Sequence, residues 1–118
     1  MQTVLNGISV DQEEKIQGIL EIMADRYSRE LLRTTRELPK SAFRISQETG
    51  IPISTVYRRI QKLQDAGIVR VSGEINLEGK KHFLYHSKVK AISTKIAGES
   101  INMEIIPNPP PTPQRWGV

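Results

Sequence analysis

Apolar positions along the first forty residues recur at helical spacing. From Asp11, the side chains Ile16, Ile19, Leu20, Met23 and Tyr27 fall on one face, with Gln12, Glu13, Glu14, Lys15 and Gln17 mostly outside it. Asp11 followed by Glu14 makes a variant capping box at the start. The period falters at Ala24–Arg26 and resumes through SRELLRTTREL, which predicts a second helix capped by Asp25. In it Leu31, Leu32 and Leu38 are expected to be buried, and Pro39 to end it. One long bent helix is the alternative. Gly18 costs the first helix about 1 kcal/mol relative to alanine, which would make sense where another helix comes close.

The pattern then shortens. In SAFRISQETGIPISTVYRRIQKLQDAG, residues 41–67, Ser41 is a good N-cap, and Ala42, Ile45, Ser46 and Thr49 form a small or apolar inner face. Gly50 stands where a helix ends in the left-handed region, and Pro52 can begin a helix but not continue one. The next helix puts Val56, Ile60 and Leu63 on one side. It leaves Ser54, Thr55, Tyr57, Arg58, Gln61 and Lys62 on the other, and Gly67 closes it. Two short helices around a glycine-bearing turn make the pattern of a helix-turn-helix. The outward residues suit a DNA groove. Arginine bridges two acceptors on guanine, hydroxyls adapt to several base edges, and tyrosine offers a flat face with a polar tip. A merely solvated helix face is the plain alternative.

Beyond Gly67 the period drops toward two. Ile68–Val71 predicts a short strand, Ser72–Lys81 a turn with two glycines, and His82–Val89 a second strand. Two strands with a basic tip after a helix-turn-helix form a wing. Lys80, Lys81 and Arg70 are placed to meet phosphates, which fixes position and affinity but not base preference. Lys88–Ile96 and Ile101–Ile106 alternate around the turn AGES and predict a further hairpin continuing the wing sheet. Its apolar face, Ile101, Met103 and Ile105, must fold back on the first helix or pair with a second copy. The expected organisation is a flexible arm over 1–10, a winged helix-turn-helix over 11–90, a β extension over 91–106 that is a candidate dimer contact, and a proline-rich tail over 107–118. The fold class is mainly α with a small antiparallel sheet.

Charge sharpens this picture. The net charge of +4 divides as −2 over residues 1–39, +6 over 40–90 and zero over 91–118. The excess sits in the helix-turn-helix and wing, which points to an anionic partner touching one part of the molecule. Cysteine is absent, which excludes disulfides, thiolate metal sites and cysteine nucleophiles. No apolar run is long enough to span a bilayer, and the N-terminus lacks a signal pattern. A cytoplasmic setting without membrane association is expected.

The stretches MADRYSRELL, ISQETGIPISTVYRRIQKLQDAGIV and EGKKHFLY resemble the helix-break-helix, the recognition motif and the wing of arsenical-resistance-repressor (ArsR) type regulators. The resemblance runs from about Ile19 to Tyr85. It implies a homodimeric transcription regulator on double-stranded DNA, with the helix over 52–66 in the major groove and the basic wing, 72–82, on the phosphate backbone. By position, Ile53, Ser54, Tyr57 and Arg58 would lie at the groove, and Thr55 and Arg59 nearer the backbone. Ser41, Lys62, Lys80 and Lys81 complete the expected DNA-binding set. Metal sensing does not carry over: the cysteines are missing, and the C-terminal third has the pattern of strands, not of a helix.

His82 and His86, four apart in a β-prone run, stand about 13 Å apart along a strand and lack a third ligand. One is expected to flank the wing and the other to lie at its surface, and no metal or cofactor is expected. No glycine-rich phosphate loop, nucleophile elbow or carboxylate pair in a known motif is present, so no enzyme is expected. The competing readings are a winged-helix module for protein or RNA, or a non-enzymatic subunit of a larger nucleic-acid complex.

Overall fold

The computed structural model describes residues 7–75 and 77–111. Four helices come first: α1 Glu13–Ala24, α2 Arg26–Thr34, α3 Ala42–Thr49 and α4 Ile53–Asp65. The break between α1 and α2 is real, and Asp25 caps α2 by accepting from the Ser28 amide at 2.9 Å. The other expected cap is not formed, because α1 starts from Gln12 with no side-chain bond. Along α1 the buried positions are Ile16, Ile19 and Ile22. Beside Gly18 there is open space instead of a second helix. The second helix stops at Thr34, short of Pro39, and Leu38 is exposed rather than buried. Thr35 turns its hydroxyl back to the Leu31 carbonyl at 2.8 Å, and the chain leaves the helix there.

The motif residues behave as their chemistry requires. Ser41 accepts from the Arg44 amide at 3.1 Å, and Gly50 takes φ 76°, where a Cβ would be strained. Thr49, polar on an inner face, bonds the Ile45 carbonyl at 2.6 Å and receives the Ile51 amide at 3.2 Å. It therefore closes the turn instead of filling the core. Val56, Ile60 and Leu63 anchor α4 in a buried cluster with Leu31, Leu32, Ala42, Ile45, Ile68 and Val69.

Two separate antiparallel sheets follow. The wing pairs β2 Val69–Ile75 with β3 Lys81–Ser87, and Lys40 bridges to Tyr85 on the far side of β3. The second sheet has the order β1-β5-β4, built from β1 Ile8–Val10, β4 Val89–Ala97 and β5 Ser100–Pro107. The expected hairpin exists but does not continue the wing. At the end of β3 the Ser87 amide donates to the Thr35 carbonyl, and its hydroxyl bonds the Val89 carbonyl at 2.9 Å, so the chain turns into a new sheet. Ile8–Val10, expected in a loose arm, is a strand paired with Met103–Ile105. Residues 1–6 and 112–118, which include the ends of the expected arm and tail, lie outside the described residues.

Cross-strand register puts Ile8 and Val10, Ile92 and Ile96, and Ile101, Met103 and Ile105 on one sheet face. Met103, 2% exposed, packs there with Ile16 and Ile19 of α1. The hairpin thus folds back on the first helix of its own chain. Ile96 and Ile101 lie toward the hairpin tip and are exposed.

Candidate nucleic-acid interface

Helix α4 is sunk in the core on one side by Val56, Ile60 and Leu63. Its opposite flank runs Ile53, Ser54, Tyr57, Arg58, Gln61 and Lys62, all exposed. Tyr57 is 55% exposed, and the guanidinium of Arg58 reaches only the Thr55 hydroxyl, at 3.4 Å. The flank offers, in order along one stripe, a hydroxyl, a phenol, a fork of donors and an ammonium. Ser41 is half-buried, and its oxygen is occupied as the cap of α3.

Arg59 stands apart from this flank. Its Nε donates to Asp25 at 2.7 Å and a terminal nitrogen does so at 3.4 Å, while its guanidinium carbon lies 5.8 Å from the centre of the Tyr27 ring. Burial pushes the Asp25 carboxyl up, but hydrogen bonds from Arg59 and Ser28 outweigh it and hold the pKa below the ordinary value. A side chain expected near the DNA backbone is thus a cross-brace from α4 to the α1–α2 joint.

On the wing, Lys80 and Lys81 are exposed. Lys81 lies across the strand against Gly73, where a Cβ would come within 3.1 Å of its Cε, and its ammonium is 5.3 Å from the centre of the Phe83 ring. The side chain is steadied by an aromatic face at a site where its charge still meets solvent. Arg70, expected to meet phosphate, turns inward: it donates to His86 Nδ1 at 2.6 Å and to the Asn108 carbonyl at 2.9 Å.

That inward contact belongs to a cluster with no signature in the residue pattern. Arginine only donates, so His86 Nδ1 accepts and Nε2 carries the hydrogen toward the Arg36 carbonyl, 3.1 Å away. Asn108 donates to the Arg36 carbonyl at 2.8 Å and the Ser87 carbonyl at 2.9 Å, while its amide meets Lys88 at 2.7 Å. His86 is 3% exposed, whereas His82 is the exposed histidine of the wing. Burial, then the Arg70 charge, lower its pKa. The start of the proline segment is therefore pinned to the base of the wing.

A third internal group, Glu48 with Lys40 and Arg44, accounts for more of the basic excess. Glu48 accepts from Lys40 at 2.6 Å and Arg44 at 3.0 Å, and these hydrogen bonds lower its pKa to about 2. Lys40, Arg44, Arg59 and Arg70 are thus committed within the chain, whereas Arg58, Lys62 and Lys81 point outward around α4 and the wing. Among the described residues no group of three or more His, Asp or Glu side chains could hold a metal ion, and no helix is long and apolar enough to cross a membrane.

Residues 23–72 match the family model of a helix-turn-helix domain. Among solved structures, the crystal structure of an ArsR family transcriptional regulator superposes with a TM-score of 0.50 and 18% identity, over 62% of this chain and 75% of that one. No curated protein matches the chain. At this identity the likeness is one of fold.

Proposed function

We propose that this chain, a helix-turn-helix domain on a fold shared with an ArsR family regulator, is a sequence-specific DNA-binding regulator of transcription. The observation that carries the reading is the exposed flank of α4, with Tyr57 55% exposed and the Arg58 guanidinium bonded to Thr55 of its own helix. Ile53, Ser54, Tyr57 and Arg58 read base edges in the major groove, while Thr55, Lys62, Lys80 and Lys81 meet the backbone. The role is binding, without catalysis, in the cytoplasm where the DNA is.

Two copies act together in this proposal. A two-fold pair places its recognition helices about one DNA turn, ~34 Å, apart and demands a palindromic site. The exposed pair Ile96 and Ile101, at the open end of the hairpin face, is the contact offered to the second copy. Selection of bound duplexes from random sequence tests the reading. A palindrome with half-sites one turn apart is the expected result. Enrichment of no duplex over the starting pool would overturn it.

A further inference from the structure

We propose that the Asp25–Arg59 pair sets the angle at which α4 is presented, and through it the base preference of Tyr57 and Arg58. The inference rests on the DNA-binding reading above. Arg58 and Arg59 are neighbours of the same chemistry with opposite fates: one faces solvent, the other braces the helix to the α1–α2 joint. Val56, Ile60 and Leu63 hold α4 at its depth in the core, but apolar contacts have no direction and tolerate a small roll about the helix axis. The Arg59 fork has direction. It bonds both Asp25 oxygens, and its face lies over Tyr27, so rotation of α4 must break charge-assisted bonds.

Asp25 is itself fixed. It caps α2 through the Ser28 amide at 2.9 Å and the Ser28 hydroxyl at 2.7 Å, which ties the brace to the N-terminus of that helix. The pair stands at the edge of an open groove of about 750 Å³ between α1 and α4, which Lys15, Glu21, Lys62 and Asp65 also line. Arg59 is therefore a positioning residue: it touches no base, yet it decides where Tyr57 and Arg58 stand relative to one.

The test uses the full chain and the duplex it selects from random sequence, together with single base-pair variants of that duplex. Asp25→Asn is the clean substitution, because asparagine still caps α2 while the charge pair is lost. Arg59→Ala removes the fork, and Arg59→Lys keeps the charge without the fork. Thermal midpoints confirm that each variant is folded, and Arg59→Lys serves if Asp25→Asn is not. Asp25→Asn and Arg59→Ala should each cut discrimination against the variant duplexes about tenfold, the scale of one charge-assisted hydrogen bond. The double variant should be no worse than the poorer single one, and the dependence of affinity on salt should not change. Arg59→Lys should recover discrimination only in part.

The opposite pattern would overturn the inference. If Arg59→Ala lowers the salt slope by about 1 while Asp25→Asn strengthens binding, Arg59 is a phosphate contact released from an internal partner. If both variants keep full discrimination, the pair only holds the fold. If the wild-type chain selects no duplex, the DNA reading falls and this inference falls with it.

Discussion

At the scale of single residues, His86 is the clearest case of chemistry forced by its surroundings. Its Nδ1 faces an arginine that can only donate, so the neutral ring fits and the protonated ring puts two donors face to face. The Arg70 cation (β2) and the Glu37 carboxylate, after α2, act on the ring in opposite senses, and burial with Arg70 prevails. Its folded pKa therefore lies below the ordinary 6.5. The contribution of the neutral ring to stability is fully present above that ordinary value and is lost as pH falls through the lower, folded one. Thermal unfolding followed from pH 8 to pH 5 should show this loss, and His86→Gln should remove that part of the slope. An unchanged slope in the variant would mean that another group carries it. Neither His86 nor Asn108 announces such a role in the sequence, because their partners are backbone carbonyls and an arginine distant along the chain, brought together only by the two sheets.

At the scale of elements, what local pattern decides was legible and what packing decides was not. Gly50 and Pro52 mark the turn because a left-handed φ and a missing amide are local facts. The capping role of Asp25 is visible for the same reason. The Ile8–Val10 strand is too short to show alternation, and it exists because β5 offers it an edge. The separation of the second sheet from the wing depends on Ser87 bonding to Thr35 across the fold. Gly18 illustrates the difference in energetic terms. With nothing within 4 Å of a Cβ there, Gly18→Ala should stabilise the protein by about 0.5–1 kcal/mol in a denaturant titration. Met103 is the opposite case. It is the β-side anchor of α1, and Met103→Ala should cost about 2–5 kcal/mol, read from the shift of the same transition.

For the whole molecule, the distribution of charge is more discriminating than its sum. Four of the basic side chains between residues 40 and 90 are spent on Glu48, Asp25 and the His86–Asn108 cluster, so a bare count overstates what a polyanion would meet. Of the other basic residues in that stretch, Arg58, Lys62, Lys80 and Lys81 lie on α4 and the wing, while Lys88 and Lys90 are exposed at the start of the second sheet. Lys81 is held beside the Phe83 ring. Lys81→Ala should weaken all duplexes alike and lower the salt slope by about 1. The candidate site was legible to the extent that outward helical positions follow from period. Arg59 and Arg70 have partners inside the chain that period could not name, because period gives the direction of a side chain and not what waits there.

The central claim is that the free flank of α4 reads base edges, and Arg58 tests it most directly. Its affinity contribution is measured by titrating the selected duplex and a scrambled duplex of equal length with wild-type protein and with Arg58→Ala at one salt concentration. The account predicts a loss of about 1–3 kcal/mol on the selected duplex and a much smaller one on the scrambled duplex. An equal loss on both duplexes, or none on either, would contradict it.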